Sequence, residues 1–198
     1  MQGLSLSYMY VVWAWPERKG ALVKQGLTHV YYGDGKGKTT AALGLGLRAW
    51  GSGRNVVLVQ FLKDFPTGEL KALEALNGFT VLRGKAVGKL FSRDMSTEEK
   101  SLTKAIHDTN LQRAVSLVAD GKCDLLILDE ALDAFQLGLL EEAPFKTLVC
   151  KKPEYLELVI TGHTAVDWIL ERADYITEMV KRKHPYERGV PARKGIEF

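Results

Sequence analysis

The sequence predicts an α/β fold, a mostly parallel sheet with helices on both faces, and two observations carry that prediction. Short, near-continuously apolar runs recur along the chain with helical patterns between them, as strands buried on both faces require. The first of these runs stops abruptly at a glycine-rich turn that opens a helix. Composition agrees. Hydrophobic residues make up 46% and charged residues 26% of the 198-residue chain, which excludes disordered, collagen-like and coiled-coil classes.

The length suits one domain, assigned here to residues 26–198, preceded by an arm over residues 1–25. The arm opens with the apolar MQGLSLSYMYVVWAW, which lacks the Lys or Arg that begins a signal peptide. It reads either as a lid over the domain or as a start placed too early. Leu27 to Tyr32 is the first strand, and Lys38 to Gly51 follows as a helix with apolar Ala41, Leu43, Leu45, Leu47 and Ala49. Asn55 to Phe61 (NVVLVQF) and Phe79 to Arg83 (FTVLR) are the second and third strands. Gly84 to Arg93 has no clear period and reads as a loop over a ligand.

Met95 to Asp120 is a long helix opened by the capping-box pattern Ser96-Thr97-Glu98-Glu99. Its apolar face is expected to run through Leu102, Ile106, Leu111, Val115 and Val118. Asp124 to Asp129 (DLLILD), Leu156 to Thr161 (LELVIT) and Tyr175 to Val180 complete six strands. His29 and His107 fall inside a strand and a helix and read as structural. Trp50 and Trp168 are expected to close the core beside their helices.

The chemistry is concentrated at Tyr32-Gly33-Asp34-Gly35-Lys36-Gly37-Lys38-Thr39-Thr40, between the first strand and the first helix, which is the setting of a P-loop. Gly33, Gly35 and Gly37 are expected to take positive φ and bring backbone N–H groups close to an anion. The helix beginning at Lys38 points its positive end at the same place, Lys38 adds a full charge, and the Thr39 hydroxyl is placed to ligate Mg²⁺. Tyr32 stands where the strict pattern has its first Gly.

Asp129 and Glu130 end the apolar run LLIL, where an acid on a strand next to the first holds the metal directly or through water. Their other reading is as charges at a helix N-terminus. These parts define a Mg-nucleotide site but not the acceptor. A hydrolase, a small-molecule kinase and a non-catalytic nucleotide-binding module all remain open at this point.

The blocks Gly33-Asp34-Gly35-Lys36-Gly37-Lys38-Thr39-Thr40-Ala41-Ala42, Leu126-Ile127-Leu128-Asp129-Glu130 and Val159-Ile160-Thr161-Gly162 resemble the P-loop ATP:corrinoid adenosyltransferases. Val56 to Lys63 (VVLVQFLK) and the closing Lys183-His184-Pro185-Tyr186, Gly189 and Lys194-Gly195-Ile196-Glu197-Phe198 are similar to the same family, so the likeness spans Thr28 to Phe198. It implies a RecA-like P-loop NTPase fold and a homodimer. It also implies a reaction in which the Co(I) of a reduced corrinoid attacks C5′ of ATP and expels triphosphate, with ATP lying reversed in the P-loop.

The substrates implied are ATP, with Mg²⁺ or Mn²⁺, and a cobalamin or a cobyrinic or cobinamide-type corrinoid. A reduced flavoprotein is the implied electron donor. The implied binding residues are Gly33, Asp34, Gly35, Lys36, Gly37, Lys38, Thr39, Thr40, Phe91, His163 and His184, with Lys38 and Thr39 catalytic and Thr39, Asp129 and Glu130 on the metal. Asp34 replaces the family's Asn. Phe91 is the one aromatic residue where the family carries an FTW segment near the corrin, and His163 stands where Arg is common. Trp13 and Trp15 are candidates to lid the corrin ring.

The charge balance of +3 does not call for nucleic acid, and no run reaches the roughly 18 to 20 apolar residues of a membrane span. Cys123 and Cys150 fit neither a disulfide framework nor a zinc spacing, which points to a cytoplasmic protein.

Overall fold

A computed structural model describes residues 25–63, 66–84 and 95–197, so residues 1–24 of the expected arm, with Trp13 and Trp15, and Phe91 lie outside the described residues. Six strands form one sheet: β1 (Thr28–Tyr32), β2 (Val56–Gln60), β3 (Phe79–Arg83), β4 (Leu125–Asp129), β5 (Glu157–Thr161) and β6 (Tyr175–Glu178). The order is β3-β2-β4-β5-β1-β6, and every pairing is parallel. The helices between them are α1 (Lys38–Gly51), α2 (Gly68–Glu74), α3 (Thr97–Ala119), α4 (Ala131–Gln136), α5 (Glu142–Lys151) and α6 (Asp167–Leu170).

The central strands β2, β4 and β5 are apolar apart from polar residues at their ends, because alternate side chains enter different cores. Val57, Val59, Leu126, Leu128, Leu158 and Ile160 pack on one face with Leu111, Val115 and Val118 of α3 and Phe145 and Leu148 of α5. Val56, Leu58, Leu125, Ile127 and Val159 pack on the other with Ala42 and Ala49 of α1 and Leu73 of α2. Trp168 packs against the first core and Trp50 against the second.

Helix α3 starts as its sequence says: Ser96 accepts from the Glu99 amide, and the Glu99 carboxylate accepts from the Ser96 amide. Its buried stripe differs from the expected one. Leu102 is 51% exposed, and the face runs through Thr103, His107, Leu111, Val115 and Val118. The stripe keeps its spacing but admits two polar residues at its N-terminal end.

The sheet order corrects one expectation. β4, which carries Asp129, is not next to β1, because β5 lies between them and pairs with both. Intercalating β5 brings Thr161, its last residue, between the glycine-rich turn and Asp129. The β1–α1 turn and the C-terminal ends of β2, β4 and β5 therefore converge at one end of the sheet, as ligand sites in open parallel sheets do.

Candidate nucleotide-binding site

The turn after β1 is built by close backbone approach. Gly33 and Gly37 have φ of 114° and 118°, values that L side chains rarely adopt. Gly35 does not share that conformation, contrary to the expectation for it. Its reason is space, since a Cβ there would lie 2.6 Å from the Met179 carbonyl oxygen. The Gly35 amide donates to that carbonyl at 2.6 Å, and the Gly33 amide donates to His163 O at 2.9 Å. Two neighbouring segments thus grip the turn.

Lys38, the first residue of α1, folds back over the turn and donates from Nζ to Gly33 O at 2.7 Å and Gly35 O at 2.9 Å. Burial lowers its pKa, while Asp133, Glu130, Asp34 and Asp129 act to raise it. No acid sits in the first turn of α1. The positive helix end therefore adds to the Lys38 charge with no carboxylate of its own first turn against it.

Asp129 is the centre of the second half of the site, and it is fully buried. Its Oδ1 accepts from Thr39 Oγ1 at 2.9 Å and Thr161 Oγ1 at 2.8 Å. Its Oδ2 accepts from Lys63 Nζ at 2.6 Å and Gln60 Nε2 at 3.4 Å. The Thr161 hydroxyl in turn accepts from the Glu130 amide at 2.9 Å. That contact holds Glu130 at φ 61°, with its carboxylate 3.6 Å from Lys63. Burial pushes the Glu130 carboxyl up, against the pull of Lys63. Lys63 is itself partly buried, a cost that its attraction to Asp129 and Glu130 outweighs, so its pKa is raised.

Thr39 and Asp129 place two hard oxygens 2.9 Å apart at the start of α1. That donor set fits Mg²⁺, which takes one or two protein oxygens and fills its shell with phosphate and water. Among the described residues, no group of three or more His, Cys, Asp and Glu side chains is arranged to hold a metal.

Of the residues expected at the site, Lys38, Thr39, Asp129, Glu130 and His163 come together. His163 is fixed by Asp133, whose Oδ2 accepts from the His163 amide at 2.9 Å and lies 3.2 Å from its Nδ1. That hydrogen bond holds the His163 pKa above the ordinary histidine value. Asp34 turns to the segment after β6, where its Oδ1 accepts from the Lys181 amide at 2.9 Å. Lys36 pairs with Glu197 at 3.3 Å. Thr40 is exposed. His184 caps its own 3₁₀ turn by accepting from the Tyr186 amide.

Sequence reasoning missed the site roles of Lys63, Asp133 and Thr161. Lys63 carried the clearest signal, a lone cation directly beyond a buried strand whose C-terminal end faces the turn.

Comparison with known proteins adds an independent finding. A family model described as ATP:corrinoid adenosyltransferase BtuR/CobO/CobP matches residues 24–198. The chain is 32% identical over 192 residues to a corrinoid adenosyltransferase of Pseudomonas aeruginosa, covering 92% of this chain and 93% of that one. It is 34% identical over 177 residues to a corrinoid adenosyltransferase of Escherichia coli K12, covering 88% and 87%. It is 32% identical over 177 residues to one of Salmonella typhimurium, with the same coverage.

Proposed function

This chain belongs to the ATP:corrinoid adenosyltransferase family, and from that premise we propose how its residues carry the reaction. It is a transferase that moves the adenosyl group of ATP to a corrinoid. The electron pair of the reduced cobalt, Co(I), forms the bond to C5′. The bond from C5′ to its oxygen breaks, and that oxygen leaves on inorganic triphosphate. The nucleophile belongs to the substrate and has no proton to lose, so the protein's work is orientation and stabilisation of a polyanionic leaving group.

The observation that carries this reading is the position of Lys38. Its ammonium lies over the glycine-rich turn at the positive end of α1, where a triphosphate meets both. ATP lies with its triphosphate along Gly33 to Thr40 in the reversed sense, leaving C5′ open to the cobalt. Thr39 and Asp129 would hold Mg²⁺, or Mn²⁺ in its place, with Glu130 alongside, and the bound metal would supply positive charge against the triphosphate. Phe91 and His184 are assigned to the corrinoid side, and His163 to the site beside the glycine-rich turn. The working form is a homodimer supplied with Co(I) corrinoid by a reduced flavoprotein.

The test is anaerobic, with purified protein, Mg-ATP and chemically reduced cobalamin followed by visible spectroscopy. The expected result is loss of the Co(I) spectrum to a light-sensitive adenosyl form, with triphosphate in the medium. ADP as the nucleotide product would replace this reading with a kinase or hydrolase.

A further inference from the structure

Lys63 lies on both oxygens that suit the metal. Its Nζ is 2.6 Å from Asp129 Oδ2 and 3.2 Å from Thr39 Oγ1, with Glu130 Oε1 at 3.6 Å. The Thr39 hydroxyl gives its proton to Asp129 Oδ1, so the lone pairs facing Lys63 are the ones a cation would use. A buried carboxylate needs a positive partner, and here the chain supplies one of its own.

The root of Lys63 is fixed. Leu62 holds φ at 55° with its amide donating to His107 Nε2 at 3.3 Å, and the Lys63 carbonyl accepts from Arg83 Nε at 3.1 Å. His107 Nδ1 bonds Leu139 O at 2.8 Å, which assigns the proton to Nδ1 and leaves Nε2 free to accept. The four-carbon stem beyond that root can still swing its ammonium.

We propose that Lys63 is a displaceable cation of the nucleotide site, yielding Thr39 and Asp129 to the divalent ion that enters with ATP and moving its ammonium onto the triphosphate. The proposal rests on the reading of this site as a Mg-ATP site. Asp129 then faces a cation before and after loading, and the leaving triphosphate gains a second lysine beside Lys38. His107 and Arg83 are positioning residues that set where the Lys63 stem begins.

Two equilibria on the full chain test it without the corrinoid: Mn²⁺ binding followed by electron paramagnetic resonance, and metal-free binding of inorganic tripolyphosphate by calorimetry. In Lys63→Met, Mn²⁺ affinity should rise about tenfold because its competitor is gone. Tripolyphosphate affinity should fall about tenfold with the loss of one charge-assisted contact. A change below about threefold in either, or two changes in the same direction, overturns the proposal.

Should Lys63→Met fail to fold, the unmodified protein crystallised with Mg²⁺ and a non-reacting ATP analogue answers the same question. Lys63 Nζ should have left Asp129 and lie within hydrogen-bond reach of a phosphate oxygen. An ammonium still seated on Asp129 overturns the proposal. Failure to adenosylate cobalamin would remove the functional reading alone, since neither equilibrium involves a corrinoid.

Discussion

The Thr161 hydroxyl joins two parts of the site with a single oxygen, donating to Asp129 Oδ1 and accepting from the Glu130 amide. Thr161→Val removes both contacts while keeping the shape, leaving the part-buried Glu130 amide without its acceptor. The expected loss is about 1–3 kcal/mol in urea denaturation. His163 offers a reading by pH. Its hydrogen bond to Asp133 raises its pKa, so the contribution of that contact to stability is full below the unfolded value of about 6.5 and is lost as pH rises through the higher folded value. An NMR titration should place the His163 midpoint above 6.5, and Asp133→Asn should bring it down. A midpoint unchanged by Asp133→Asn would refute that pairing. Lys38, Thr39 and Asp129 were legible because glycines and a strand end surround them. Asp133 and Thr161 were not, because their roles come from a strand insertion that no local pattern records.

At the scale of elements, the strands were legible to within a residue or two, most plainly β2, β4 and β5, which burial on both faces makes apolar apart from polar residues at their ends. Helix α3 was legible from its capping box, and Ser96→Ala should cost about 1 kcal/mol, measured as a shift in the denaturation midpoint. Helices α2, α4 and α6 are 7, 6 and 4 residues long, too short to show a helical period. Strand order was the element-level property that sequence could not convey, since β5 reaches its place between β1 and β4 through pairings distant in the chain. Its exit is equally constrained. A Cβ on Gly162 would sit 2.5 Å from Leu132 Cβ and 2.9 Å from Asp133 Oδ2. Gly162→Ala should therefore destabilise by about 1–3 kcal/mol and disturb the His163–Asp133 contact. A wild-type denaturation curve for that variant would contradict the packing described.

Across the whole molecule, the sheet gathers one end of four strands around the glycine-rich turn, and the C-terminal segment closes over that turn. Met179 and Lys181 bond the turn directly, and Glu197 reaches Lys36. Arg193, with help from Lys36, pulls the Glu197 carboxyl down to about 2, so this docking stays ionised across ordinary pH. Lys38→Ala should lower adenosylation by about a hundredfold or more while leaving the melting temperature near that of the unmodified protein, because Lys38 is part of no core cluster. Activity surviving that change would contradict the assignment of the turn as the triphosphate site.

The most direct measurement follows the C5′–oxygen bond. ATP carrying ¹⁸O at the 5′ bridging position is given to the protein with reduced cobalamin, and the phosphate product is examined by mass spectrometry. Attack at C5′ predicts that the label leaves on triphosphate, one ¹⁸O for each adenosylcobalamin formed. Label retained on ADP, with no adenosylcobalamin, would contradict the transfer.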